Sequence, residues 1–439
     1  MKKPVTFIVA AAISFAAHAP ALAQSSGEPS MEEKADGAER SGLQFRADQI
    51  VDVLNEELKV PLEVVFTQEF LADVSPAQIT ALSKQFTSLY GRAIAVQDIR
   101  PASASQAQFD VRMQRAIAKG ILVIDPEDGD KIDGLRFTDF QQVDDSAQKI
   151  EQSISDLPGE VSAYFAPLSG GEAIVAIGDE AQMPIGSTIK LYVLAALAQE
   201  IKAGSRKWDD VVPLSEASLP SGMLQDWPQG APITLASLAS LMISISDNTA
   251  TDQLIAELGR ERVLKAMIDS GHAMPDMNDP IITTRDLFQL KGGDTDRLET
   301  FAKGNAELRA QILDTVKDEP LDPEGIAAAF AKGPIALEVE WFASGKDLAK
   351  LFQFMRQTSD PKAFEIMAID PNLPPSSRKD WAYSGYKGGS EPGVLNLTWL
   401  LTDASGDDHI LWLSWRNDEA NLDTAQLESL AQRILNLSR

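Results

Sequence analysis

The pattern of apolar and polar residues after residue 44 predicts a small α+β domain over residues 44–142. Phe45 to Leu58 carries apolar residues at helical spacing. Ser75-Pro76-Ala77-Gln78 supplies an N-cap, a proline in the first turn and a capping-box glutamine, so a second helix is predicted from there to about Tyr90. Three apolar or alternating runs follow and are predicted to form an antiparallel sheet that carries the two helices: residues 106–114, 121–124 and 132–137.

A new pattern begins at Asp144 and predicts a larger domain over residues 144–439. A helix is predicted from Ser146 to Leu157, the stretch from Ser187 to about Phe354 has a mostly helical period, and an amphipathic helix is predicted at residues 423–437. Five apolar runs flank the helical part and are predicted to be strands: residues 161–166, 173–177, 381–387, 394–401 and 410–415. Strands at both ends of the domain indicate one antiparallel sheet beside a helical subdomain.

The first 43 residues have a different composition. Two lysines precede an apolar run from Val5 to Ala17, and Ala21-Leu22-Ala23 has the small-x-small pattern of a signal peptidase site. We therefore expect residues 1–23 to be a signal peptide cleaved after Ala23, which leaves a periplasmic or secreted protein with no membrane anchor. The alternative is a buried N-terminal helix. Residues 24–43 are rich in Ser, Gly, Glu and Asp and are predicted to be a flexible linker.

Charge and residue usage narrow the classes of partner. The chain has 39 Lys and Arg residues against 65 Asp and Glu residues, a net charge of −26, which argues against nucleic acid or an anionic membrane as a partner. With no cysteine, disulfides, thiolate metal sites and cysteine nucleophiles are excluded. Of the 3 histidines, His272 and His409 follow the predicted leader and are interpreted as ordinary surface histidines. We expect a small-molecule substrate and no metal or cofactor.

One short motif joins a nucleophile to a base. Ser187-Thr188-Ile189-Lys190 is predicted to open an apolar helix, where a spacing of three residues places Ser187 and Lys190 on the same face. A serine hydroxyl needs a neighbour that takes its proton, and a lysine does this when burial and nearby cations lower its pKa. An isolated match of this kind is common, and its ordinary interpretation is an N-cap serine followed by an exposed lysine.

Two further motifs change that interpretation. Ser246-Asp247-Asn248 follows a helix-like run, and Lys387-Gly388-Gly389 ends a strand-like run near the end of the chain. In this order the three motifs resemble the S-x-x-K, S-D-N and K-T-G motifs of class A β-lactamases and penicillin-binding proteins, and the resemblance extends over the whole domain after Asp144. It implies the β-lactamase/DD-peptidase fold, an antiparallel sheet plus a helical subdomain.

The resemblance also implies roles for single residues. Ser187 is the expected acylated nucleophile, and Lys190 is the base that takes its proton. Ser246 is expected to relay a proton to the leaving group, and Lys387 is expected to help in that transfer. The expected substrate contacts are Asn248, Gly389 and Ser390, with the oxyanion between the backbone N–H groups of Ser187 and Ser390.

The sequence departs from the family pattern in two places. The third motif has Gly388 where the hydroxyl residue is expected, and Ser390 is a candidate replacement. Residues 267–286 lack the Glu-x-x-Leu-Asn loop that activates the deacylating water in class A β-lactamases, so efficient β-lactam turnover is not expected. Asp276, Asp279 and Glu391 are candidate substitutes for that base, although solvated carboxylates are the commoner interpretation.

The longer stretches at residues 246–252, 282–288 and 386–394 are similar to two-domain serine hydrolases related to the β-lactamase-like protein of clavam biosynthesis. That resemblance implies a cystatin-like or NTF2-like cone for residues 44–142. Three hypotheses for the function remain. The first is an exported serine hydrolase acting on a β-lactam or a related amide or ester, the second a penicillin-binding-like DD-carboxypeptidase or esterase, and the third a non-catalytic ligand-binding or sensor module.

Overall fold

The protein, seen here as a computed structural model, is described over residues 42–143 and 145–437. The chain divides into two compact units, one before residue 144 and one from Asp145 onward. The predicted signal peptide, its cleavage site after Ala23 and nearly all of the predicted linker lie outside the described residues. No helix within those two described ranges is long and apolar enough to cross a membrane.

The first unit is a four-stranded antiparallel sheet whose strands lie in chain order. Ala47 and Ile50 of the first helix are buried together with Phe109 and Leu122 of the sheet, so this helix covers the apolar face of the strands. The elements of the unit are α1 (Gly42–Leu54), α2 (Leu62–Val65), α3 (Gln68–Asp73), α4 (Pro76–Tyr90), β1 (Ala93–Pro101), β2 (Gln106–Met113), β3 (Ala116–Asp125) and β4 (Lys131–Gln142).

Most of the predicted pattern of this unit is confirmed. The Ser75 and Gln78 side chains form the predicted capping box at the start of α4. The first helix ends at Leu54 instead of Leu58, and Glu56 beyond it has a left-handed backbone conformation with φ 58°. Strand β1 was not predicted, because it lies at the edge of the sheet and only Ala93 is buried in it. The cone-like architecture stays a prediction.

The second unit has a five-stranded antiparallel sheet in the order β11-β12-β13-β5-β6, which confirms one sheet formed from both ends of the domain. Its elements are α5 (Ala147–Ser155), β5 (Glu160–Pro167), β6 (Val175–Ile177), β7 (Met183–Pro184), α6 (Lys190–Lys202), β8 (Val211–Pro213), β9 (Pro232–Thr234), α7 (Leu235–Ser244), α8 (Asn248–Leu258), α9 (Arg260–Asp269), α10 (Thr284–Gly292), α11 (Thr295–Lys303), α12 (Ala306–Val316), α13 (Pro323–Phe330), β10 (Phe342–Ala343), α14 (Gly345–Thr358), α15 (Lys362–Met367), α16 (Pro375–Arg378), β11 (Tyr383–Glu391), β12 (Val394–Thr402), β13 (Asp408–Arg416) and α17 (Thr424–Leu435).

Each face of this sheet has its own hydrophobic core. Trp399 and Trp415 pack with residues of α5 and α17 on one face, whereas Trp412 packs with α6 and the helical subdomain on the other. Strand β12 is buried along almost its whole length, as expected for a central strand covered on both sides. The tryptophans of the strands are therefore core residues, as is Trp381, which lies just before β11 instead of on it.

Candidate active site

The segment that carries Ser187 joins a short strand to the central helix of the second unit. Gly186–Ile189 forms one turn of 3₁₀ helix, and the α-helix α6 begins only at Lys190. Gly186 adopts a left-handed conformation with φ 49°, which glycine tolerates and which redirects the chain from β7 into the turn. The sequence predicted a continuous α-helix here, so Ser187 lies in a tighter turn than expected.

Buried polar contacts hold this turn against the sheet. Thr188 is fully buried, and its Oγ1 donates to Asn396 Oδ1 of β12 at 2.8 Å. Thr398 Oγ1 donates to the same oxygen, also at 2.8 Å. The contact between Thr188 and Asn396 had not been identified from the sequence, because the residues are more than 200 positions apart, Thr188 fills a variable position of its motif and Asn396 belongs to no motif. These contacts fix the turn relative to the strand that neighbours β11.

The Ser246-Asp247-Asn248 motif occupies the connection between α7 and α8. Ser246 has a left-handed backbone conformation with φ 57°, and Asp247 then caps α8 by accepting from Ala250 N at 2.8 Å. The second carboxylate oxygen of Asp247 accepts from Met223 N at 2.6 Å and Leu224 N at 3.0 Å. The motif is thus fixed from two sides, and the aspartate serves as an anchor.

Lys190 lies in the middle of the predicted residues. Its Nζ donates to Ser246 O at 2.7 Å, to Ser246 Oγ at 3.1 Å and to Asn248 Oδ1 at 2.8 Å. Lys190 is 0% exposed, and none of these three partners is charged. Ser187 is half-buried, and within residues 42–143 and 145–437 its hydroxyl makes no hydrogen bond, to Lys190 or to any other group.

Lys387 approaches the same serine from β11. Its Nζ donates to Ser246 Oγ at 3.1 Å and to the backbone oxygen of Gly388 at 2.5 Å. The structure therefore brings Lys190, Ser246, Asn248 and Lys387 into one hydrogen-bonded group, with Ser246 Oγ between the two amines. The side chains of both lysines are buried, so the two cations lie in a region of low polarity.

This arrangement shifts the pKa of both amines. Burial lowers the pKa of Lys190 well below its ordinary value, and the nearby charge of Lys387 lowers it further, against the raising effects of Asp252 and Asp247. Burial also lowers the pKa of Lys387, to about 7, against the raising effect of Asp370. Burial and the Lys387 charge therefore both favour the neutral amine of Lys190 over its ammonium form.

The third motif meets the nucleophile turn through its backbone. A Cβ atom at Gly389 would collide with the backbone oxygen of Ile185 and lie against Ser187 N, so only glycine fits there. A Cβ at Gly186 would in turn lie 3.1 Å from Ser390 N. The backbone N–H groups of Ser187 and Ser390 belong to two segments in direct contact, and Ser390 itself is exposed.

Gly388, the departure from the family motif, has a local cause. A Cβ at this position would collide with the hydroxyl of Tyr386, which lies two residues earlier on the same face of β11. Tyr386 packs against Trp399, with ring centroids 4.8 Å apart. The space of the expected hydroxyl residue is therefore occupied by an aromatic side chain of the same strand.

The other candidate residues lie elsewhere. Glu391 follows Ser390, yet its carboxylate is directed to Lys291. Asp276 is exposed and Asp279 is half-buried. Within the described residues, neither forms a hydrogen bond with a residue of the predicted site. His272 is buried, with Nε2 3.0 Å from Phe342 O, so the surface interpretation was wrong for this residue.

His409 is half-buried and pairs with Asp403 at 3.0 Å. Over the described ranges, no group of three or more His, Cys, Asp or Glu side chains is placed to hold a metal ion.

Two charged residues beside the turn were not identified from the sequence. Gly186 is the residue just before Ser187, and its backbone N–H donates to Glu340 Oε2 at 3.1 Å. Lys291 Nζ lies 3.9 Å from Glu340 Oε1 and binds Glu391. Neither residue belongs to a motif, and each comes from the helical subdomain far along the chain, so no local pattern indicated them.

Comparison with known proteins finds similarity in the second unit. Residues 145–333 match the family model described as the beta-lactamase enzyme family. Similar solved structures include PBP-A (20% identity, 66% of this chain and 92% of that chain covered, TM-score 0.47). They also include a beta-lactamase from Sphaerobacter thermophilus (20% identity, 66% of this chain and 93% of that chain covered, TM-score 0.46). A beta-lactamase from Chitinophaga pinensis is similar as well (15% identity, 66% of this chain and 96% of that chain covered, TM-score 0.44). Residues 145–333 are thus similar to that family, and this range includes the first two of the three motifs.

Proposed function

We propose that the protein is an exported serine hydrolase that forms an acyl-enzyme on Ser187 with a β-lactam or a related amide or ester. The observation that carries this proposal is the buried Lys190 amine, which binds only uncharged oxygens of Ser246 and Asn248 and has the cation of Lys387 nearby. A lysine in this environment is suited to act as a base at neutral pH.

The contacts of Lys190 support a direction of proton transfer. A neutral amine has two N–H donors and one lone pair. The carbonyl oxygens of Ser246 and Asn248 accept from Nζ at 2.7 and 2.8 Å, so in the neutral amine the lone pair faces the Ser246 hydroxyl, whose oxygen is 3.1 Å away. In the proposed step the lone pair instead takes the proton of Ser187 Oγ, which comes within reach when substrate binds and attacks the substrate carbonyl carbon. Catalytic hydrogen bonds of this kind often tighten only when substrate is bound.

The tetrahedral intermediate then breaks down to the acyl-enzyme. The negative oxygen is placed between the N–H groups of Ser187 and Ser390, whose segments are in contact. The bond from carbon to the leaving nitrogen or oxygen breaks, and the leaving atom takes a proton from Ser246 Oγ. Ser246 recovers a proton from Lys190, because Lys190 Nζ lies 3.1 Å from Ser246 Oγ. The product is an ester on Ser187. The amine of an opened β-lactam stays attached to the acyl group, whereas an acyclic amide or ester releases its amine or alcohol.

Hydrolysis of that ester is expected to be slow on β-lactams. In the part of the chain that the structure describes, no carboxylate is hydrogen-bonded to Ser187 or Lys190. Glu391 is engaged by Lys291 and is therefore a poor candidate for the base that activates water. Acylation then outpaces deacylation, and the acyl-enzyme accumulates.

Intact mass spectrometry of the mature full-length protein tests the proposal. After incubation with a penicillin, a chromogenic cephalosporin and a simple aryl ester, we expect one adduct per chain, located on Ser187 by peptide mapping. Ser187→Ala removes it, whereas Ser205→Ala, which changes an exposed serine, leaves it unchanged. Product release should show a burst and a slow steady state.

The remaining hypotheses correspond to other outcomes of this experiment. Release of D-alanine from a peptidoglycan stem peptide, faster than turnover of any β-lactam, would favour the DD-carboxypeptidase. The absence of an adduct with every β-lactam and ester would favour the non-catalytic module. Export is tested separately by N-terminal sequencing of protein from the cell envelope, where the expected first residue is Gln24.

A further inference from the structure

A second buried charged group contacts the nucleophile turn at Gly186, and its charges do not balance. Glu340, Glu391 and Lys291 have side chains that are 1%, 9% and 0% exposed. Lys291, in the last turn of α10, binds Glu391 at the end of β11 and lies 3.9 Å from Glu340. One cation therefore faces two carboxyl groups.

Glu340 continues a strand pairing that ends at the nucleophile. Strands β7 and β10 pair through Pro184 and Phe342, and Ile185 N donates to Trp341 O at 2.9 Å. The next amide in line, Gly186 N, has the Glu340 carboxyl as its acceptor at 3.1 Å. This side chain thus replaces a strand partner at the position just before Ser187.

The two carboxyl groups have complementary unsatisfied atoms. Glu340 Oε1 and Glu391 Oε2 are both buried, and neither has a hydrogen-bond partner among residues 42–143 and 145–437. A proton on Glu340 Oε1 would allow it to donate to Glu391 Oε2, which satisfies both atoms at once. It also leaves one negative charge, on Glu391, beside the one positive charge of Lys291, and avoids an unpaired charge in the interior.

We propose that Glu340 and Glu391 share one proton beside Lys291, and that Glu340 is a positioning residue that holds Gly186 and the Ser187 N–H against the end of β11. The positioning role rests on the proposed function, in which that N–H binds the oxyanion. Burial raises the pKa of Glu340 and of Glu391, and for Glu340 the charge of Glu391 adds to the effect, in agreement with a retained proton. The charged groups acting on this pair are Lys291 and the two glutamates themselves.

The shared proton is tested by the pH dependence of thermal stability in the full chain. A carboxyl whose pKa is higher in the folded than in the unfolded protein stabilises the fold at low pH, and this contribution is lost as the pH rises toward the folded pKa. Glutamine resembles a protonated glutamate, so Glu340→Gln should remove part of the loss of unfolding temperature between pH 5 and 9. The control Glu338→Gln, two residues away and exposed, should follow the unmodified protein. Equal pH slopes for all three proteins would overturn the shared proton.

The positioning role is tested by hydrogen exchange in the peptide spanning residues 183–190. Glu340→Ala removes the acceptor of Gly186 N, so exchange in this peptide should be faster by about tenfold or more, while Glu340→Gln keeps an acceptor and should stay near the unmodified rate. Unchanged exchange in a folded Glu340→Ala protein would overturn the role. If that variant does not fold, the Glu340→Gln protein decides. The protection factor of this peptide, its exchange rate relative to the intrinsic rate at each pH, should vary less between pH 6 and 9 in Glu340→Gln than in the unmodified protein. Equal variation of the protection factor overturns the role.

The kinetic consequence is read from adduct formation on Ser187. Glu340→Ala should slow acylation by about 10- to 100-fold, as small displacements of an oxyanion donor do, without moving the adduct to another residue. If the unmodified protein forms no adduct, the proposed function fails, while the exchange and stability measurements still decide the shared proton and the position of Gly186.

Discussion

Two buried charged groups flank the turn that carries Ser187, and they are opposite in composition. On one side, Lys190 and Lys387 share the oxygen of one serine, and their hydrogen bonds go to uncharged acceptors. On the other side, Glu340 and Glu391 share one lysine, Lys291. Neither group is a balanced ion pair, and each is buried.

The difference determines which proton state each group favours. An excess of buried cations favours loss of a proton, and accordingly the pKa of Lys190 is lowered by burial and by Lys387. An excess of buried carboxyl groups favours retention of a proton, and the pKa of Glu340 is raised by burial and by Glu391. The same physical cause, burial of unbalanced charge, thus lowers the pKa of the lysine and raises the pKa of the glutamate.

The largest effect is expected on the rate of adduct formation when Lys190 is changed. Lys190→Ala removes the proposed base, so the rate of adduct formation on Ser187 should fall by about 10²- to 10⁴-fold. The measurement is intact mass spectrometry over time, with Lys317→Ala, an exposed lysine, as the control. A folded Lys190→Ala protein that acylates at the original rate would show that another group takes the proton.

On the carboxyl side, the corresponding change is Lys291→Met. It removes the cation that binds Glu391 and leaves two buried carboxyl groups, so the free energy of unfolding should fall by about 3–5 kcal/mol at pH 8. Protonation of both carboxyl groups relieves this penalty, so the loss should shrink as the pH falls toward 5. Urea unfolding at several pH values measures it. A pH-independent loss would mean that Lys291 contributes through packing alone.

The interaction between the two lysines is tested by Lys387→Met. Removing the nearby cation raises the pKa of Lys190, so the acid side of the acylation profile should move to higher pH, with a loss of about tenfold at low pH for each unit of movement. The pH dependence of the acylation rate is the measurement. A uniform loss at every pH would indicate that Lys387 acts only through its hydrogen bond to Ser246.

The smallest effect is expected where the turn is held without charges. Thr188→Val keeps the shape of the buried side chain and removes its hydrogen bond to Asn396, which should cost about 1–2 kcal/mol of unfolding free energy. Urea unfolding measures this, with the exposed Thr300→Val as the matched control. A loss no greater than that of the control would show that the sheet contact is not needed to hold the turn.

The sequence predicted the parts of this architecture that depend on local pattern. The capping box at Ser75 was predicted because its residues are adjacent, and the central sheet because its strands are apolar runs. The motifs also indicated the group formed by Lys190, Ser246, Asn248 and Lys387. Whether these residues perform the proposed chemistry stays a prediction.

What was missed depends on contacts between distant segments. Glu340 and Lys291 act on the turn only after the helical subdomain folds around it, and in the sequence they look like ordinary surface charges. The 3₁₀ turn at Gly186 was missed for a related reason, because the residues that contact it, Asn396 and Gly389, lie on strands late in the chain. Helical periodicity alone does not distinguish the two kinds of turn.

The position of Tyr386 over Gly388 restricts how this motif changes during evolution. A threonine at residue 388, which would restore the family motif, needs space that the Tyr386 hydroxyl already occupies. The substitution is therefore disfavoured as a first step and accessible only after residue 386 becomes smaller, which in turn removes packing from Trp399. We therefore expect residues 386 and 388 to change together, with a compensating change in the packing against Trp399.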